Sequence, residues 1–153
     1  MNFCKQYFTS DVSETELIGK EMATLLESDT SLPPFVALYG DLGVGKTAFV
    51  RGFVSAISPN AVVRSPTFAL VNEYRAKPRT LFHFDMYRID SEDDLDSIGF
   101  YDYLDRAGIC LVEWSEKIPY ALPECYLRVT IEKNDAQNPN CRKITVESVE
   151  EPV

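Results

Sequence analysis

Apolar residues fall into two rhythms along this chain, and the order in which the rhythms alternate outlines a fold. "NFCKQYF" reads as a first strand. Ser13 with Glu16 has the spacing of a capping box. Leu17, Ile18, Met22, Leu25 and Leu26 follow as a helical stripe, which "SDTSLPP" ends. "FVALYG" is a short, wholly apolar strand of the kind that lies inside a parallel sheet. Phe49, Val50, Phe53, Val54 and Ile57 then repeat at helical spacing up to "SPN".

The second half continues the alternation. "VVRSPTFALVNEYRA" reads as a loop entering a strand, and "TLFHFDMYRI" as a further strand after a turn at Pro78. Ser91, with acidic residues behind it, suits a helix N-terminus, because negative charge is favoured there. That helix is expected to run through Leu95, Ile98 and Leu104 to a stop at Gly108. "ICLVEW" is the next strand. "CYLRVTIEK" and "RKITVESVE" alternate apolar and polar around "NDAQNPN", which predicts a C-terminal β-hairpin. Strands alternating with helices and ending in a hairpin predict an α/β fold. The sheet should be mixed, mostly parallel and flanked by helices. No internal repeat or composition break divides residues 1–153, so one domain is expected.

One stretch changes the picture from architecture to chemistry. "GDLGVGKT", Gly40 to Thr47, satisfies G-x-x-x-x-G-K-[ST], and it stands between an apolar strand and a helix as the motif requires. Glycines let the chain curl so that successive N–H groups converge on phosphate oxygens, and the following helix adds its positive end. Gly40, Asp41, Leu42, Gly43, Val44, Gly45, Lys46, Thr47 and Ala48 are the expected nucleotide cradle. Lys46 should reach the terminal phosphates, and the Thr47 hydroxyl should ligate Mg²⁺. The Asp41 carboxylate would be repelled by phosphate, so its side chain is expected to face solvent.

Such a site also needs an acid at the end of a neighbouring strand. Asp85 in "LFHFD" and Glu113 in "ICLVE" compete for the role. Side chains alternate along a strand, so His83 and Asp85 share one face, as do Leu111 and Glu113. With "MYRI" continuing past Asp85, Glu113 alone sits at a strand tip, where α/β sheets place ligands. Glu113 is therefore favoured for the metal and Asp85 for positioning or activating the attacking water. His83, the only histidine, reads as a half-buried strand residue. Trp114, the only tryptophan, is either core or site edge.

Composition narrows the function classes. Apolar content of 45% and charged content of 25% are those of an ordinary globular protein. No stretch approaches the ~18–20 apolar residues of a membrane span, and the N-terminal residues lack a signal-peptide core. Four scattered cysteines without a C-x-x-C pair suit small buried hydrophobes in a reducing cytoplasm and disfavour structural zinc. A net charge of -9 disfavours direct binding of nucleic acid, whose phosphates need cations. A GTPase is disfavoured because "DRAG" ends a helical pattern and no guanine-reading motif is present. A small-molecule kinase stays open, since Arg51, Arg64, Arg75, Arg79 and Arg88 are available. So does a module that binds nucleotide without hydrolysing it.

The ordered blocks "GDLGVGKTAFVRG", "SPTFALVNEY", "HFDMYRI" and "ICLVEWSEK", together with "GFYDYL" and "LPE", resemble the TsaE (YjeE) family over most of the chain. This family comprises the small bacterial ATPases of tRNA threonylcarbamoyladenosine biosynthesis. The resemblance implies a P-loop NTPase-like fold, ATP with Mg²⁺, and a TsaB–TsaD heterodimer as partner. That pair attaches the threonylcarbamoyl group to the adenosine beside the anticodon, and the ATPase supports its turnover. By the same resemblance Thr47 and Glu113 match the magnesium positions, and Asp85 matches an essential aspartate. Trp114 matches the tryptophan after the acidic position, and Thr67 falls in a switch-like loop. Arg142 is placed near the nucleotide. Val44 departs from the pattern, which usually has a smaller residue there.

Overall fold

The computed structural model describes residues 3–41, 43–63, 66 and 70–150. Its elements are β1 (Cys4–Thr9), α1 (Val12–Ser28), β2 (Phe35–Tyr39), α2 (Lys46–Ile57), β3 (Val71–Tyr74) and β4 (Thr80–Asp85). They continue as α3 (Glu92–Ser97), α4 (Phe100–Leu104), β5 (Gly108–Glu113), two single 3₁₀ turns, β6 (Cys125–Lys133) and β7 (Arg142–Glu150). The strands form one sheet in the order β1-β7-β6-β2-β5-β4-β3. The four central strands, β6, β2, β5 and β4, run parallel to one another, while β3, β7 and β1 pair antiparallel at the edges. The expected hairpin is β6–β7, with the bounds the alternation gave.

Alternation within the apolar strands sends side chains to two cores. Val36, Leu38, Leu81, Ile109, Leu111, Leu127 and Val129 pack under α1 and α2 with Leu26, Phe49 and Phe53. Phe35, Ala37, Phe82, Phe84, Cys110 and Val112 pack on the opposite face with Leu95, Phe100 and Ile118. Fully burying one such side chain contributes roughly 1.5–3 kcal/mol. Helices α1 and α2 touch backbone to backbone. A Cβ at Gly52 would lie 1.8 Å from the Glu16 carbonyl oxygen, and one at Gly19 would lie 2.1 Å from that of Phe49. This contact fixes α2, and with it the start of α2, against α1.

Four local expectations are corrected. Helix α1 starts earlier than Ser13: Asp11 is the N-cap, accepting from the Glu14 N–H at 2.9 Å, and the Glu14 carboxylate reaches back to the Ser10 N–H. The cap is thus Asp11, because an aspartate oxygen serves as well as a hydroxyl, and Glu14 ties down the residue before it. Ser91 does cap α3, but the helix breaks at Gly99, whose φ of 72° is left-handed, and restarts as α4. Gly108 opens β5 instead of stopping a helix. Most consequential, β4 ends at Asp85, and Met86 to Ile89 form a turn closed by the Ile89 N–H donating to the Met86 carbonyl.

Candidate nucleotide and metal site

The end of β4 at Asp85 removes the asymmetry between the two acids. In the parallel β4–β5 ladder Asp85 lies directly opposite Glu113, so both carboxylates stand side by side at strand tips. Next to β5 lies β2, with Leu38 opposite Glu113. From its end the chain turns through Gly40 and Asp41 to Gly43, Val44 and Gly45, then into α2 at Lys46. Gly43 and Gly45 have φ of 78° and 109°, conformations that glycine adopts without the Cβ penalty. Gly45 is the N-cap of α2 and brings no side chain to the first-turn N–H groups, which have no carbonyl partner within the helix. That helix end is therefore set up for an anion.

A cavity of about 450 Å³ lies between the loop and the strand tips. Lys46, Thr47, Asp85, Glu113 and Trp114 line it, with Gly43, Gly45 and Ala48 on the loop side. Lys46 is buried, and its Nζ donates to the Gly40 carbonyl at 2.5 Å while sitting 3.5 Å from the centre of the Trp114 ring. Burial pushes the Lys46 pKa down, and Glu116, Glu113, Asp85 and Asp41 pull it the other way. The Asp85 carboxyl is pushed above the usual carboxylate range, first by burial and further by the charge of Glu113. The Tyr87 N–H, donating to Asp85 Oδ1 at 3.0 Å, offsets part of that.

Glu113 is held from below. His83 Nε2 lies 2.6 Å from Glu113 Oε2, and His83 is 1% exposed. His83 Nδ1 is buried without a partner, which suits the tautomer with its proton on Nε2, donating to the carboxylate. His83 stands two residues before Asp85, so it reaches Glu113 diagonally across the ladder. It is a fully buried partner of the site, not a half-buried strand residue. Sequence alternation put His83 and Asp85 on one face; only the register with β5 brings His83 to Glu113.

Trp114 lies one residue beyond β5 at φ 59°, a left-handed conformation that costs a non-glycine residue roughly 1–2 kcal/mol. The turn carries its ring over Lys46 and against Tyr87, ring centres 5.0 Å apart. It is a residue of the site edge. Gly40, Asp41 and Val44 do not line this cavity; they border a neighbouring hollow of about 620 Å³ with Tyr39, Glu116 and the end of β6. The Asp41 side is exposed, as expected, and Val44 is buried in the core under α1 and α2. Arg142 reaches the loop from β7 and bonds to its carbonyl groups. Val12 and Arg51 also line the cavity and Glu116 the neighbouring hollow; Val12 lies outside the quoted blocks, while Arg51 and Glu116 lie within them at positions that no fixed residue of the phosphate motif marks. Leu42 and Thr67 lie outside the described residues.

Among the described residues no three or more His, Cys, Asp or Glu side chains cluster as metal ligands, and no helix is long and apolar enough to cross a membrane. Two carboxylates and a hydroxyl are nonetheless what Mg²⁺ asks of a protein, since it keeps waters and takes the rest of its oxygens from phosphate. The surplus negative charge of Asp85 and Glu113 beside one lysine fits an added cation.

The family model for "Threonylcarbamoyl adenosine biosynthesis protein TsaE" matches residues 9–144. A tRNA threonylcarbamoyladenosine biosynthesis protein TsaE from Haemophilus influenzae is 38% identical over 139 residues, 90% of this chain and 88% of that relative. One from Bacillus subtilis is 36% identical over 125 residues, 82% of this chain and 75% of the relative. The crystal structure of Bacillus subtilis YdiB superposes with a TM-score of 0.76 at 30% identity, covering 97% of this chain and 88% of that one.

Proposed function

The chain belongs to the TsaE family of threonylcarbamoyl adenosine biosynthesis proteins, and on that footing we propose that it is a Mg²⁺-dependent ATPase supporting formation of N6-threonylcarbamoyladenosine in tRNA. The observation that carries the proposal is the pairing of Asp85 with Glu113, in register, across a cavity from Lys46 and the N-terminus of α2. The loop N–H groups and Lys46 bind and orient the phosphates. Thr47 and Glu113 would hold Mg²⁺, which would supply charge neutralisation for the bound phosphates. His83 fixes the Glu113 carboxylate from beneath. Asp85, on the adjacent tip, orients the attacking water and accepts its proton; its raised pKa suits a base better than an ordinary aspartate would. Trp114 covers the Lys46 ammonium with its ring.

Of the arginines that would serve phosphoryl transfer to a metabolite, Arg75 and Arg79 sit beside the N-terminal end of β4, away from Asp85, whereas Arg51 lines the cavity while pairing with Glu16 at 2.6 Å. The acidic chain fits a role in which a TsaB–TsaD heterodimer, and not this protein, holds the RNA. Phosphate release from ATP, measured for wild type and Asp85→Ala with and without that heterodimer, tests the reading. Slow release by the wild type, faster with the heterodimer and lost in Asp85→Ala, is expected. No release by the wild type under any condition would leave a nucleotide-binding module instead of an enzyme.

A further inference from the structure

Arg142 opens β7, opposite Lys133 in one ladder and Thr9 in the other. Its side chain leaves the sheet and ends on main-chain carbonyls at four points. Nε donates to Val44 O at 2.5 Å and Nη2 to Gly43 O at 3.4 Å. Nη1 donates to Pro139 O at 2.5 Å and to Cys141 O at 2.9 Å. One planar fork thus joins the phosphate loop to the turn between β6 and β7. That turn is itself built. Asp135 accepts from Gln137 N–H and Asn138 Nδ2, and the Cys141 N–H donates to Asn138 O.

The loop carbonyls matter because a trans peptide points its C=O and N–H in opposite directions within one plane. The carbonyls of Gly43 and Val44 share their planes with the N–H groups of Val44 and Gly45. Holding those two oxygens toward the hairpin turns those two donors the other way, and Gly43 and Gly45 border the cavity. Gly45, at φ 109°, and Gly43, at φ 78°, have little intrinsic preference to hold that orientation. We propose that Arg142 is a positioning residue: anchored on the β6–β7 turn, it sets the peptide planes of the phosphate loop so that the Val44 and Gly45 N–H groups are aimed at phosphate before nucleotide arrives. It acts through the loop backbone and not as a phosphate ligand. This rests on the nucleotide-binding reading above.

The test uses the full chain as wild type, Arg142→Lys and Arg142→Met. Amide NMR shifts of Val44 and Gly45 are recorded without nucleotide, and affinities for Mg-ATP are taken by calorimetry. Both variants should displace the two amide signals while sheet amides stay in place. Both should lose about tenfold in affinity, because lysine supplies charge but not the fork. In a third variant, Arg142→Ala, which leaves room for the missing fork, free methylguanidinium should restore the affinity. Arg142→Lys binding like wild type while Arg142→Met fails would overturn the proposal, since charge alone would then suffice. So would unmoved Val44 and Gly45 signals in both variants. If the wild type binds no Mg-ATP, the nucleotide reading fails, whereas the amide shifts still decide the positioning role.

Discussion

Two kinds of carboxylate share this molecule. At the surface Glu16, Glu73 and Glu147 each meet an arginine, Arg51 at 2.6 Å, Arg106 at 2.8 Å and Arg128 at 3.0 Å. At the strand tips Asp85 and Glu113 meet each other, with one buried lysine nearby. The Arg106 hydrogen bond holds the Glu73 carboxyl below the usual carboxylate range, whereas burial and a neighbouring charge hold Asp85 above it. An acid whose charge is already matched has nothing left to recruit. The tip pair keeps an electrostatic deficit that a cation would relieve, and deficits of this kind cluster at functional sites.

Removing the site's own cation should break that contrast hardest. Lys46→Met is expected to lower the ATP-dependent rate of phosphate release at least ~100-fold, the usual scale for a donor aimed at developing charge. A single-turnover assay reads it. Next in size is the support beneath Glu113. His83→Leu should raise the Mg²⁺ concentration needed for half-maximal ATP binding by about 10–100-fold, while His83→Gln, which keeps a donor near Nε2, should stay close to wild type.

A smaller effect has the opposite sign for stability. A carboxyl whose folded pKa is raised favours folding when protonated, and that contribution is lost as pH rises through the raised value. At pH 7, without nucleotide or divalent cation, Asp85 therefore carries a penalty that Asp85→Asn should remove. The variant should melt higher, by about 2–4 °C for each kcal/mol relieved, and the gap should close as pH falls below the raised value toward the ordinary ~3.9. Equal melting temperatures at pH 7 would show that the tip carries no deficit. Smallest of all, Glu147→Gln should change stability by no more than about 1 kcal/mol and leave ATP binding untouched, because a half-exposed pair is screened by solvent.

The sequence carried the scaffold of this contrast further than its arrangement. Strands β2, β6 and β7 were legible because their apolar runs are uninterrupted or strictly alternating, and the phosphate loop because its fixed positions name their own chemistry. Asp85 was misplaced in mid-strand because "MYRI" keeps the apolar-polar rhythm through what is a turn. No local pattern separates the two; the Met86 N–H, which donates to the Glu113 carbonyl at 3.1 Å, belongs to the tertiary ladder. The same holds for His83, whose bond to Glu113 depends on the β4–β5 register, and for Arg142, whose targets lie 98 and 99 residues away in the chain. Propensity and spacing describe neighbours along the chain, and these three roles are set by neighbours across the sheet.

The deficit at the strand tips is tested most directly by calorimetric titration of ATP into the wild-type chain, once with Mg²⁺ and once with the metal chelated. The pairing of Asp85 with Glu113 predicts that Mg²⁺ tightens ATP binding, since without it the phosphates face two uncompensated carboxylates, and that Glu113→Gln narrows the difference. Equal affinity with and without Mg²⁺ in the wild type would contradict it.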